Sequence, residues 1–113
     1  MKRILLLIGC VLLLGGCATK VDNNRLDRII ENNTYIIVDV RTKEEYDEGH
    51  LKDALNIPYD EIEENIFDKD KTIIVYCKSG QRSKKAYDSL IKMGYTAYDL
   101  GAYDKIDKFE KVK

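Results

Sequence analysis

The chain has 113 residues, 44% hydrophobic and 35% charged, with 19 basic and 20 acidic side chains and a formal net charge of −1. These values exclude a disordered tail and a multi-span membrane protein, and they bound the chain to one domain of ordinary globular composition. There is no basic block, so nothing implies nucleic acid or a polybasic membrane contact as a partner.

The first element is a leader. Lys2 and Arg3 precede thirteen residues, 4–16, without a charged or polar side chain, and Cys17 follows. Crossing a bilayer as a helix takes about 20 apolar residues, so the run is short for an anchor helix and suits the apolar core of an export signal. Its ending, "LGGC" at residues 14–17, resembles the lipobox of bacterial lipoproteins. That resemblance implies removal of residues 1–16, lipidation of Cys17, and an extracytoplasmic domain held to a bacterial membrane by lipid. The 17 basic side chains left would then face 20 acidic ones. Cys10 would leave with the leader, and Cys77 would be the lone thiol of the mature chain. In a compartment where thiols normally pair, an unpaired cysteine is either inert and buried or kept for chemistry.

A tether over residues 17–24 and a domain over 25–113 are expected next. "RLDRIIEN" reads as a short amphipathic helix, and "YIIVDV" (residues 35–40) as a β-branched strand buried on both faces. "TKEEYDEG" reads as a charged helical turn closed by Gly49, "ALNIP" as a short strand, and "YDEIEENIFD" as a helix. "KTIIVYC" (71–77) repeats the central-strand pattern. "SKKAYDSLIKMG" places Ala86, Tyr87, Leu90 and Ile91 on one helical face with Gly94 as its C-terminal cap, and "YTAYDL" (95–100) gives a last strand. This alternation predicts an α/β layer fold, a mostly parallel central sheet of about five strands flanked by helices, with its ligand site at the carboxyl ends of the strands. Asp39, Arg41 and Cys77 fall at such ends.

Cys77 therefore ends a strand, and with a helix starting near Ser83 the six residues 77–82 form a strand-to-helix loop. The first N–H groups of a helix lack internal partners and carry the positive end of the helix dipole, so they favour an anion. A thiolate is the nucleophilic form of cysteine, and this environment lowers its pKa. Gly80 lets the loop turn back, and Ser83 can cap the helix. Lys78 and Arg82 are natural donors to a sulfonate oxygen.

At these residues the chain resembles a single-domain rhodanese, a sulfurtransferase. "VDVRTKEEYDEGHLKDALNIP", "CKSGQRS" and "LIKMGYTAYDLGAY" resemble the family's first signature, active-site loop and closing segment. The resemblance implies a three-layer fold in which Cys77 takes a sulfane sulfur from a donor such as thiosulfate, holds it as a persulfide, and passes it to a thiol or cyanide. The amides of Lys78, Ser79, Gly80, Gln81, Arg82 and Ser83 would cradle the charge, with Arg82 steadying the loop. Asp39 and Arg41 match an Asp-x-Arg element that orients the active loop or closes a strand-end ion pair. His50, the only histidine, stands where the family uses histidine structurally. No cofactor or metal is implied, and the chain is expected to act as a monomer.

Two departures stand out: Asp53 replaces a frequent glycine, and "GAYDKIDKF" replaces a frequent Gly-Gly-Trp, which bears on acceptor preference. Two other functions compete. A cysteine phosphatase or arsenate reductase on this fold would place five residues between cysteine and arginine, whereas here there are four. A silent binding module would normally lose the cysteine. A thiol-disulfide oxidoreductase would show Cys-x-x-Cys, which is absent.

Overall fold

The computed structural model describes residues 18–113, with side chains from Asn24 onward. The leader and Cys17 lie outside the described residues.

Helix α1, Ala18–Asn32, belongs to a unit of its own that ends at Asn33. It runs through the segment read as a tether. Asn33, at φ 54, closes it by donating its N–H to the carbonyls of Ile29 and Ile30, a left-handed position that asparagine tolerates better than most residues.

The second unit, residues 34–113, is built on strands β1 (Tyr35–Asp39), β3 (Leu55–Asn56), β4 (Thr72–Cys77) and β5 (Thr96–Ala102). They form a four-stranded, all-parallel sheet in the order β3-β1-β4-β5. The fold is α/β, as the sequence implies, with four strands in the main sheet where about five were expected. The remaining strands, β2 (His50–Leu51) and β6 (Lys111–Val112), pair antiparallel as a separate ribbon. At two residues each they carry no periodicity to read.

Ile73, Val75 and Cys77 of β4 pack with Val38, Val40, Ile62, Ala86 and Leu90 into one core. By strand alternation Ile37 and Ile74 face the other way, and they are buried as well. Both faces of the sheet are therefore covered, which explains the unbroken apolar runs in β1 and β4. Helix α2, Lys43–Glu48, opens on a reciprocal capping box between Thr42 and Glu45 and closes at Gly49. The expected helix at "YDEIEENIFD" is instead a 3-10 segment, Tyr59–Glu64, with Ile62 as its only buried residue. Four acidic side chains in six positions repel one another, and one apolar anchor does not sustain further turns.

Helix α3, Gln81–Lys92, buries Ser83, Ala86 and Leu90. Ile91, placed by the sequence on the buried face, is 47% exposed. Gly94 (φ 89) follows as expected, with its N–H on the Ile91 carbonyl and that of Tyr95 on the Leu90 carbonyl. Asp53 lies at φ 66, a left-handed position that glycine takes freely and aspartate occupies at some strain.

The chain adds β3 on one side of β1 and then β4 on the other. The loops leaving β1 and β4 therefore diverge between adjacent parallel strands, the place where open α/β sheets form their ligand crevices.

Candidate active site

Cys77 is the last residue of β4, and α3 begins at Gln81. The helix thus starts two residues before the expected point, and its N-cap is Gly80 at φ 102 rather than Ser83. The loop is only Lys78, Ser79 and Gly80. Glycine serves here because the chain must turn through left-handed backbone to enter the helix directly beneath the sulfur. Ser83 falls in the first turn, and its hydroxyl donates to the Gly80 carbonyl at 3.2 Å.

The short connection aims N–H groups at the sulfur. The Gly80 amide donates to Cys77 Sγ at 2.9 Å and the Ser83 amide at 3.3 Å, while the Ser83 hydroxyl oxygen lies 3.5 Å from Sγ. Burial alone raises the thiol pKa. The Ser83 hydroxyl and the amides of Ser83, Gly80 and Ser79 together outweigh it and bring Cys77 below the ordinary thiol value. The Ser83 hydroxyl carries one proton: it can donate to the Gly80 carbonyl beside a neutral thiol, and to Sγ once the sulfur is anionic. Cys77 has no exposed surface.

The other predicted residues divide. Lys78, Ser79 and Gln81 are exposed side chains beside the loop. Arg82 feels the charge of Cys77, but its hydrogen bonds go elsewhere. It makes a bidentate pair with Glu45 of α2, at 2.9 and 3.1 Å. That pair is the main reason Glu45 titrates at about 2, with the Thr42 hydrogen bonds adding to it against partial burial. Glu45 was missed in the sequence. Its capping spacing with Thr42 was legible, but its reach to a residue 37 positions away was not.

Asp39 and Arg41 form a buried ion pair: Arg41 Nε donates to Asp39 Oδ1 at 2.9 Å and Nη2 to Oδ2 at 2.6 Å. Arg41 Nη2 also reaches the Gly49 carbonyl, and the guanidinium lies 4.4 Å from the ring centre of Tyr103. The Tyr76 hydroxyl donates to Asp39 Oδ2 at 2.8 Å and accepts from the Leu51 N–H at 3.0 Å. Burial pushes its phenol well above the ordinary range, so it stays a donor. No sequence signal separated Tyr76 from the other seven tyrosines.

His50 stacks on Tyr46, with ring centres 3.7 Å apart, and its Nδ1 lies 2.9 Å from the Tyr46 carbonyl oxygen. Its place in the fold is against α2. Among the described residues no group of three His, Cys, Asp or Glu side chains could hold a metal ion.

Arg41, Glu45, Glu48, Gly49, Lys78, Tyr103 and Asp104 line a cleft of about 320 Å³ at this end of the sheet. A strand-ending cysteine under helix-start amides, with a small cleft against its loop, defines an enzyme-like anion loop on a parallel sheet.

The Rhodanese-like domain family matches residues 22–106, and the chain belongs to that family. Over 80 residues it is 43% identical to the thiosulfate sulfurtransferase PspE of Escherichia coli, covering 67% of this chain and 77% of that protein. A sulfurtransferase of Allochromatium vinosum is 33% identical over 79 residues, covering 67% of this chain and 74% of its own. A solved E. coli rhodanese is 36% identical with a TM-score of 0.65, covering 70% of this chain and 98% of its own.

Proposed function

We propose that the protein is a sulfurtransferase that carries sulfane sulfur as a persulfide on Cys77. The observation supporting this reading is the pair of amides, from Gly80 and Ser83, on Sγ. They favour a thiolate without an adjacent base, and they equally suit the sulfur as a leaving group.

With thiosulfate as donor, the Cys77 thiolate attacks the outer sulfur. The Cys77–S bond forms, the donor's S–S bond breaks, and sulfite departs with the electron pair. An acceptor nucleophile then takes that sulfur, and the electron pair returns to Sγ. Lys78, in the loop, binds the donor's sulfonate oxygens. Asp39 and Arg41 hold the end of β1 rigid against the Cys77 loop. The sulfur is buried, so each half-reaction requires its surroundings to move aside.

The phosphatase reading loses support because Arg82, the residue that would clasp a phosphate, is already held by two bonds to Glu45. Intact mass after incubation with thiosulfate tests the persulfide. One added sulfur atom, released by cyanide and missing in Cys77→Ala, is expected. An unchanged mass together with no thiosulfate:cyanide turnover leaves a silent binding module. We propose further that Cys17 is lipidated and holds the domain on the extracytoplasmic face of a bacterial membrane. Release of Cys17→Ala from the membrane fraction tests that.

A further inference from the structure

We infer that Tyr76 is a positioning residue for sulfur transfer, its buried hydroxyl fixing the end of β4 so that Cys77 Sγ stays under the Gly80 and Ser83 amides. This rests on the reading of Cys77 as the sulfur carrier and names a residue that acts through it.

The inference follows from how β4 ends. On the β1 side its register is regular up to the pair Asp39–Tyr76, and there it stops. On the β5 side the pairing slips between Val75 and Tyr76, from Val75 opposite Asp99 to Tyr76 opposite Gly101. An irregularity of this kind bends a strand and re-aims the side chains at it. The ladder is thus finished on one side and interrupted on the other at the residue before the nucleophile. Tyr76 supplies what the ladder lacks. Its carbonyl accepts from the Val40 N–H at 3.1 Å, and its hydroxyl donates to Asp39 Oδ2 at 2.8 Å and accepts from the Leu51 N–H at 3.0 Å. One residue therefore joins β4 to β1 and to β2, and β2 is held in turn by β6.

Strand alternation sends the Tyr76 ring to the sheet face opposite Cys77, and Tyr76 has no exposed surface. Its hydroxyl bonds go to Asp39 and Leu51, not to Sγ, so it acts through the backbone that carries Cys77. Placement counts there because the amides reach Sγ at 2.9 and 3.3 Å, and such bonds weaken steeply as their geometry degrades. A hydroxyl that only satisfied polar groups in the core would contribute to stability and leave the chemistry alone. Tyr95 carries such a hydroxyl. It accepts the Phe67 N–H at 2.9 Å, its residue is 7% exposed, and it stands just before β5, at the opposite end of the parallel sheet from Cys77.

The test compares Tyr76→Phe with Tyr95→Phe in the full chain in detergent. Each variant keeps its ring and loses one hydroxyl. Loading of sulfur from thiosulfate is timed in single turnovers, and alkylation by iodoacetamide is followed on the peptide that carries Cys77. A misplacement of about 1 Å can cost about a hundredfold in rate, and the retained ring limits the shift, so Tyr76→Phe should lower the maximal loading rate about tenfold. The half-saturating thiosulfate concentration should not change, and the pH midpoint of Cys77 alkylation should move upward. Tyr95→Phe should load within about twofold of wild type with an unmoved midpoint, although urea unfolding finds it destabilised. If Tyr76→Phe does not fold, truncation after Glu110 removes β6 and loosens the Leu51 anchor with Tyr76 intact, and loading about threefold slower is expected. A Tyr76→Phe protein that loads like Tyr95→Phe, or in the second case a truncated chain that loads like wild type, overturns the inference. The Cys77 reading then stands alone, since wild type still takes up sulfur. If wild type takes up none, that earlier reading fails first.

Discussion

Glu45→Gln isolates the ion pair that joins α2 to the first turn of α3. Glu45 accepts two bonds from Arg82 and also closes the capping box with Thr42. Holding its carboxyl at about 2 in place of 4.5 would correspond to about 3 kcal/mol if fully expressed. The side chains of Arg82 and Glu45 keep 28% and 25% of their surface, so solvent screening reduces this to about 1–2 kcal/mol. Because the folded pKa is depressed, the contribution is complete above pH 4.5 and drains away as pH falls toward 2. Urea unfolding of the wild type and Glu45→Gln should therefore differ by about 1–2 kcal/mol at neutral pH, and the gap should narrow steadily as the carboxylate is protonated. Glu44→Gln, a neighbour in the same turn, should stay within about 0.5 kcal/mol of wild type. A neutral-pH difference below about 0.3 kcal/mol, or a difference that does not shrink in acid, would refute the reasoning.

Ser83→Ala keeps the amide on Sγ but removes the hydroxyl. The pH midpoint for alkylation of Cys77 should move upward, and an unmoved midpoint would deny the hydroxyl any part in holding the thiolate. Asp39→Asn leaves the buried Arg41 guanidinium without its counter-charge and should cost about 3–5 kcal/mol in denaturant unfolding. A loss under about 1 kcal/mol would mean the pair is replaceable. Gly80→Ala meets nothing closer than Gly101 Cα at 4.0 Å, so its expected loss of about 1–2 kcal/mol comes from left-handed backbone alone. An alanine protein as stable as wild type would show that the loop relaxes out of that conformation.

The central strands, the nucleophile and its loop were legible because each depends on residues close together in the chain. An apolar run six residues long and rich in β-branched side chains favours a buried strand over a helix by its length and composition. A cysteine between such a run and a helix start meets that helix's free N–H groups whatever the rest of the fold does. The N-cap shifted from Ser83 to Gly80, because two cap residues of similar propensity stand three positions apart and only the closure of the loop around Sγ chooses between them. Ile91 shows the same limit: helical spacing placed it inward, whereas α3 buries Ser83, Ala86 and Leu90 and leaves Ile91 half exposed.

What the tertiary structure alone decided is who answers whose charge. The sequence by itself set the α/β alternation, the position of Cys77 and the Asp39–Arg41 spacing. It offered Arg82 to the anion, whereas the fold pairs Arg82 with Glu45 and closes Arg41 on Asp39, with Lys78, Glu48 and Asp104 on the cleft. Coulomb interactions fall off over ångströms in space and ignore separation along the chain. Which ionic partners meet is therefore fixed only when β1, α2, β4 and the turn after β5 converge at one end of the sheet.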